Sequence, residues 1–345
     1  MGSAWAHSFG VALMGRQAPG RVTTWARAAE RAGLGSVWIV EDYFFPGAFG
    51  LAGACAAVTE RVAIGLGVVN PFTRHPAVVA METATIAGMA PGRVVLGLGT
   101  SNRHWIEEQM GLPFKTPLVT LREGVGVVRR LLAGQRVTHE GSTFTLRDAS
   151  LELAPDAPVP ILLGVKAPKA LALAGAIADG LHCSMLASPA HVRRVRTITT
   201  TAYRDAGRVG AFPVIAYVPM AVSRDRGQAR SRVAPLLARY LGVLHGQSIV
   251  HDGGLDDVDT LPFRQALLYG EPATAHVTEA MIDTYAIAGT PDDCRTSLRR
   301  WAEAGLDAPV AVPVPGPDVE EQIELYGREL APYWHHARRD LKDTA

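Results

Sequence analysis

The chain has 345 residues with 34 basic and 33 acidic side chains, and its pI is about 7.8. This length allows a (β/α)₈ barrel with insertions, or two smaller domains. Balanced charge without clustered Lys and Arg argues against a nucleic-acid partner. No apolar run approaches the roughly 18 residues of a membrane helix, and three scattered cysteines fit a reduced, cytoplasmic setting.

The first hundred residues alternate short apolar runs with helical stretches. Short runs rich in Val, Ile and Leu that end in glycine or polar residues are typical of strands buried on both faces. Strands are predicted at 9–14, 36–40, 62–69 and 93–98. Helices are predicted between them at 21–32, 48–59 and 76–90. This alternation predicts parallel βα units.

The rest of the chain continues the alternation with two interruptions. Further strands are predicted at 159–165, 180–184, 212–222 and 308–313. Further helices are predicted at 103–111, 116–133, 168–177, 189–206, 224–247, 292–304 and 319–330. Residues 134–154 have the composition of a hairpin, and residues 245–278 suit a lid or loop insertion. We therefore predict one TIM-barrel domain over residues 1–345, with insertions after the fourth and seventh strands.

Polar and glycine-rich residues follow several of the predicted strands, where a parallel barrel binds its ligands. Glu41 and Asp42 follow the second strand, and the third and fourth strands end in glycine and polar residues. Residues 164–168 join the fifth strand to a helix. The free N–H groups of a helix N-terminus attract phosphate, and Lys166 adds a positive charge there.

Residues 65–102, GLGVVNPFTRHPAVVAMETATIAGMAPGRVVLGLGTSN, resemble the bacterial-luciferase-like superfamily. Within it, the chain resembles the coenzyme F420-dependent methylenetetrahydromethanopterin reductases. Four further segments agree in order: VWIVEDY at 37–43, PILLGVKAPKALALAGAIADG at 160–180, MIDTYAIAGTPDDC at 281–294 and VPVPGPDVEEQIELYGRELAP at 312–332. The resemblance covers roughly residues 9–333. It implies a luciferase-like (β/α)₈ barrel that holds coenzyme F420, or alternatively FMN, at its carboxyl face, and a homodimer.

The resemblance also implies roles for individual residues. It places a non-prolyl cis peptide at Gly67–Val68, behind the cofactor ring, and directs Asn70 towards the polar edge of that ring. It assigns Glu41 a hydrogen bond to the ring. The remaining cofactor-binding positions are a turn that lines the cofactor and a loop that holds its phosphate: Gly99 and Thr100, and Gly164, Val165, Lys166 and Ala167.

Three departures from the reductase pattern fall on positions that face the substrate or move protons. Relatives have Asp-His where this chain has Glu41-Asp42, an acid at the position of Asn102, and a first-strand glutamate at the position of Ala12. We therefore expect the cofactor to be retained and the substrate to differ from methylenetetrahydromethanopterin. Glu41, Asp42 and Asn102 are the catalytic candidates.

Three functions are compatible with these residues. The first is an F420-dependent oxidoreductase that transfers a hydride between the deazaflavin C5 and a small organic substrate. The second is an FMN-dependent luciferase-like monooxygenase, and the third is a non-catalytic cofactor-binding protein.

Other polar residues near the predicted site have simpler interpretations. Arg74 is expected to pair structurally, and Trp105 lies either beside the substrate or on the surface. His335 and His336 have no third ligand nearby in the sequence, so no metal is expected.

Overall fold

Parallel strands surrounded by helices form the main body of the protein. The computed structural model describes residues 4–14 and 19–343. The strands are β1 Gly10–Leu13, β2 Ser36–Ile39, β3 Ala63–Val69, β4 Val94–Gly99, β5 Val137–Glu140, β6 Thr145–Ala149, β7 Ile161–Gly164, β8 Gly180–Cys183, β9 Val214–Val222, β10 Ile287–Gly289 and β11 Ala308–Pro313. Eight of them close into a parallel barrel in the order β1-β2-β3-β4-β7-β8-β9-β11, and β11 pairs back with β1. The predicted (β/α)₈ barrel is confirmed.

Helices follow the barrel strands and cover their outer side. They are α1 Pro19–Arg31, α2 Ala48–Val58, α3 Pro76–Met89, α4 Pro117–Leu132, α5 Pro168–Ile177, α6 Pro189–Asp205, α7 Arg226–Val243, α8 Ser248–His251, α9 Asp257–Tyr269, α10 Glu279–Tyr285, α11 Pro291–Glu303, α12 Val319–Glu329 and α13 Ala331–Asp343. A one-turn π-helix, His104–Gln109, follows β4. Proline at the first position starts several of these helices, because its missing N–H has no partner there in any case.

The barrel strands are buried along almost their whole length, as their apolar composition predicts. Large side chains also fill the barrel centre, among them Trp38 from β2 and Tyr217 from β9. Of the helices in the described part of the chain, none is both long and apolar enough to cross a bilayer.

The excursion after the fourth barrel strand is the predicted hairpin, formed by β5 and β6. Glu123 of α4 fixes its turn. The Glu123 carboxylate accepts hydrogen bonds from the Ser142 hydroxyl at 2.8 Å and from the backbone N–H groups of Ser142, Thr143 and Phe144 at 2.9, 3.0 and 3.1 Å. Burial would raise the pKa of Glu123, but these bonds lower it to about 2.

The excursion at 245–278 is largely helical, so the prediction of an irregular loop was wrong, whereas its role as a lid stays a prediction. A reciprocal capping box between Asp256 and Asp259 starts α9, and Gly270, with φ +73°, ends it. Pro262 lies inside the helix and interrupts the sequence pattern. The short strand β10 and the terminal helix α13 were also missed.

We expect Glu123→Gln to destabilise the protein by about 1–2 kcal/mol at pH 7, after allowance for solvent screening. The folded-state pKa lies below the ordinary value of 4.5, so this contribution is present above pH 4.5 and disappears as the pH falls towards 2. Urea unfolding at pH 7 and pH 3 measures the difference. Glu140→Gln, an exposed change in the same hairpin, is the control, and equal losses in both variants would contradict the prediction.

Candidate functional site

The predicted site residues gather at the carboxyl ends of β2, β3, β4 and β7, which are consecutive neighbours in the barrel. Each of these strands ends in a loop that crosses the mouth of the barrel. The residues that the sequence singled out therefore lie on one side of that mouth, although up to 126 positions separate them in the chain (Glu41 to Ala167).

A cis peptide joins Gly67 to Val68 at the end of β3, as the resemblance predicted. The buried Tyr217 hydroxyl donates a hydrogen bond to the Gly67 carbonyl at 2.9 Å. A Cβ atom at position 67 would lie 2.3 Å from that hydroxyl oxygen, so only glycine fits beneath it. We call the Gly67–Val68 segment the shelf. A second cis peptide joins Tyr43 to Phe44.

The Val68 side chain packs between the glycines that end the neighbouring strands. A Cβ atom added at Gly99 would lie 2.7 Å from a Val68 methyl group, and one added at Gly164 would lie equally close. Gly97 is similarly crowded, at 2.9 Å. The glycines of β4 and β7 therefore leave the space that the shelf occupies, which explains their spacing on packing grounds.

A neutral histidine lies below the shelf in the barrel centre. The His182 ring is 4.2 Å from the Tyr217 ring and 5.4 Å from the Trp38 ring, between ring centres. Burial lowers the pKa of His182 to about 3, so the imidazole is uncharged at neutral pH. Its Nε2 atom is buried and has no hydrogen-bond partner among the described residues.

Tyr43 is the centre of a polar network above the shelf. Its hydroxyl accepts a hydrogen bond from the Asn70 amide at 2.6 Å, donates one to Glu41 at 3.2 Å, and lies 2.9 Å from the Thr73 hydroxyl. Burial, and then the neighbouring Glu41, raise the pKa of Tyr43, which keeps the phenol protonated.

Glu41 is an ion-pair partner in this structure. Its carboxylate is 8% exposed and accepts a hydrogen bond from the Arg74 guanidinium at 2.8 Å. Arg74 also lies 3.3 Å from the Glu82 carboxylate. Arg74 therefore pairs structurally, as expected.

Asp42 follows Glu41 in the same loop and is half-buried. Burial, followed by the charge of Asp42, raises the pKa of Tyr217. Asp42 therefore acts electrostatically on the hydroxyl that holds the shelf, whereas Glu41 pairs with Arg74.

The turn after β4 contains the third catalytic candidate. The Asn102 side-chain oxygen accepts a hydrogen bond from the Trp105 backbone N–H at 3.0 Å, and the residue is exposed. Asn102 thus caps the π-helix, and its catalytic role stays a prediction. The Thr100 hydroxyl turns back to the Ser101 carbonyl, whereas the Ser101 hydroxyl is buried without a partner in the described chain.

The loop after β7 has the chemistry of an anion site. Ala167 provides no side-chain cap for α5, so the first N–H groups of this ten-residue helix have no side-chain acceptor. Lys166 lies two residues before α5, and its ammonium donates a hydrogen bond to the Gln247 side-chain oxygen at 2.5 Å. Burial lowers the pKa of Lys166 to about 8. A helix N-terminus and an ammonium both attract phosphate.

The sequence pattern of the luciferase-like monooxygenases matches residues 1–308. The chain belongs to this family. It is 30% identical to the 5,10-methylenetetrahydromethanopterin reductase of Archaeoglobus fulgidus, over 89% of this chain and 94% of that protein. It is also 30% identical to the F420-dependent glucose-6-phosphate dehydrogenase of Beutenbergia cavernae, over 91% and 93% of the two chains.

A solved structure is similar to this protein over nearly the whole chain. The coenzyme F420-dependent tetrahydromethanopterin reductase of Methanopyrus kandleri superposes with a TM-score of 0.87 at 26% identity, covering 95% of this chain and 99% of that one. The relatives are thus F420-dependent oxidoreductases inside a family named for monooxygenases. The present chain is an oxidoreductase of this family that uses a deazaflavin or a flavin.

The sequence analysis did not identify three residues that surround the shelf, Tyr217, His182 and Tyr43. Tyr217 and His182 lie in apolar strands, and in a single sequence they resemble ordinary core residues. Their contact with Gly67 joins segments more than 100 residues apart. Tyr43 had a detectable signal, because an aromatic residue directly after two acids at a strand end is a candidate hydrogen-bond partner.

We expect Gly164→Ala to destabilise the protein by about 1–3 kcal/mol, because the added methyl group displaces Val68. Gly126→Ala is the matched control: it lies in α4 with nothing within 4 Å, and should be stabilising by up to about 1 kcal/mol. Guanidinium unfolding of both variants measures the difference. Equal stability of the two variants would mean that Val68 moves aside freely.

Proposed function

We propose that the protein is a coenzyme F420-dependent oxidoreductase that transfers a hydride between the deazaflavin C5 and a small organic substrate other than methylenetetrahydromethanopterin. The observation that carries this proposal is the joint presence of the shelf and the Lys166 loop at one barrel mouth. Together they provide a support for a flat ring and an anion site for its tail.

The residues present fit such a cofactor. Lys166 and the uncapped N-terminus of α5 would hold the phosphate, because both present positive charge from a rigid element. Gly67 and Val68 would support the ring, and Gly99 leaves the adjoining turn without a side chain. When bound, coenzyme F420 supplies two-electron hydride chemistry at C5. The partnerless Ser101 hydroxyl beside this turn is available as a further donor.

Asp42 is the best-placed group to move a proton in this proposal. Arg74 and Tyr43 already occupy the Glu41 carboxylate. Asp42 is half-buried in the same loop, and its charge, after burial, contributes to the raised pKa of the Tyr217 hydroxyl that holds the shelf. We therefore assign Glu41 to orienting Tyr43 and Arg74, and Asp42 to acid–base chemistry.

The residues at the positions that differ from the reductase pattern favour a substrate other than the pterin. Ala12 is fully buried in β1 and has no acidic group. Asn102 caps the π-helix. Neither residue can perform the proton transfer that a carboxylate would provide at the same position.

We also propose a homodimer that forms through α2 and α3. These helices pack against each other, and most of their residues are apolar. The outer face of α3 exposes Val78, Met81 and Met89, and apolar side chains grouped on an outer helix face are often covered by a partner. Sedimentation equilibrium of Met81→Arg tests this assignment, with a shift from dimer to monomer expected. A wild-type monomer would contradict it.

Titration of the apo protein with each cofactor tests the proposed function. We expect the dissociation constant for coenzyme F420 to be at least about tenfold lower than that for FMN, because a relative that is 30% identical over 91% of this chain is F420-dependent. Tight binding of FMN with no binding of F420 would favour a monooxygenase instead. Binding of F420 without turnover of any substrate would favour a non-catalytic role.

Lys166→Met should weaken F420 binding by about tenfold or more at pH 7, because a charge-assisted hydrogen bond to the phosphate is lost. Burial lowers the pKa of Lys166 to about 8, so the wild-type affinity should fall as the pH rises above 8, where the free ammonium loses its proton. The variant should lack this pH dependence. Lys169→Met, an exposed change in the first turn of α5, is the control. Parallel pH profiles for the wild type and Lys166→Met would contradict the assignment.

A further inference from the structure

Six aromatic side chains lie in the loops that follow β2, β3 and β4, on the same side of the barrel mouth as the Lys166 loop after β7. We call them the mouth cluster: Tyr43, Phe44, Phe45, Phe72, Trp105 and Phe114. All six are at least partly exposed, and Phe44 is 69% exposed. Clustered aromatic surface left in water beside a proposed active site marks a binding surface more often than a packing fault.

The Tyr43 ring contacts those of Trp105 and Phe44 edge to face, and the Phe72 and Phe114 rings form a separate tilted pair. The Tyr43 ring centre lies 5.7 Å from that of Trp105 and 6.1 Å from that of Phe44, at interplanar angles of 72° and 68°. The Phe72 and Phe114 rings are 4.8 Å apart. These contacts fix the orientation of the rings while leaving ring surface open for a further aromatic partner.

The mouth cluster is continuous with the shelf. The Asn70 amide, two residues beyond Val68, donates its hydrogen bond to the Tyr43 hydroxyl. A group bound against Trp105 and Phe44 therefore lies beside the surface assigned to the cofactor ring. The π-helix that contains Trp105 is an element that occurs frequently at functional sites.

Two guanidinium groups near these rings already have partners within the protein. The Arg103 guanidinium lies over the Phe114 ring at 5.4 Å and pairs with Glu107 of the π-helix. Arg74 pairs with Glu41. Neither guanidinium is therefore left to attract an anion, and we assign recognition to the rings, which favours an uncharged ligand.

We propose that the mouth cluster binds an uncharged planar aromatic ring of the substrate, and that Phe44 and Trp105 determine this specificity. The inference rests on the proposed function for the identity of the ligand as substrate. Ring binding itself is separable from cofactor binding, because the residues that hold the cofactor phosphate lie on different strands.

Benzyl alcohol and its saturated analogue, cyclohexylmethanol, are matched probes for this proposal. Calorimetric titration into the full-length protein should give a dissociation constant for benzyl alcohol about five- to tenfold lower than for cyclohexylmethanol, because only the planar ring stacks. Benzoate, which carries a charge on the same ring, should bind more weakly than benzyl alcohol. Equal binding of the two alcohols would overturn the proposal.

Trp105 also provides an optical reporter. The other five tryptophans, Trp5, Trp25, Trp38, Trp301 and Trp334, are buried. Acrylamide quenching of fluorescence excited at 295 nm therefore reports chiefly on Trp105, and bound benzyl alcohol should reduce that quenching. Unchanged quenching at saturating benzyl alcohol would place the ligand elsewhere and overturn the proposal.

Variants separate this inference from the proposed function. Phe44→Ala and Trp105→Ala should lose the preference for benzyl alcohol, Trp105→Phe should keep it, and all three should bind F420 as the wild type does. Val209→Ala, an exposed change far from the mouth, is the control. If the wild type did not bind F420, that result would contradict the proposed function but not the ring-binding proposal. If both alanine variants instead turned a dimer into monomers and kept the preference, the mouth cluster would be an interface between two copies.

Discussion

The site depends on one packing constraint, the placement of the Val68 side chain between the strand-end glycines of β4 and β7. Tyr217 holds the Gly67 carbonyl from below, and the glycines leave room above. Four separate strands thus determine the position of one peptide. Cores tolerate changes of volume poorly. A side chain added to any of these glycines moves the shelf relative to the loops that surround it.

The sequence was most informative where periodicity and termination signals agreed. The barrel strands are short apolar runs bounded by glycine, and the Thr290 capping box fixed the start of α11. It failed where those signals conflicted. Pro262 interrupts the helical pattern of α9, so the helix was not predicted. The strand β10 has only three residues, too few to show a strand pattern. The same holds for the site. The loops at the strand ends could be predicted from the sequence, whereas the importance of Tyr217 and His182 is visible only from their contacts across the barrel.

Two adjacent acids illustrate what a linear pattern cannot decide. Glu41 and Asp42 are chemically similar, and either could have been the proton-transfer group. In the structure Glu41 accepts a hydrogen bond from the Arg74 guanidinium, whereas the charge of Asp42, after burial, contributes to the raised pKa of Tyr217. Their difference arises from the loops that meet at the end of β2, and above all from the position of Arg74 on the next loop. Tyr43, between Asn70 and Glu41, joins these loops to the aromatic surface at the mouth.

The bond between Lys166 and Gln247 has a consequence for how tightly an anion is held. Gln247 follows α7, so the helical excursion supplies a neutral acceptor to a half-buried ammonium before any ligand arrives. Part of the water around Lys166 is accordingly removed during folding. An arriving phosphate competes with an amide oxygen, and the side chain is already confined to one region. Such preorganisation lowers the entropy lost on association, and the helical insertion thereby tunes affinity without touching the ligand.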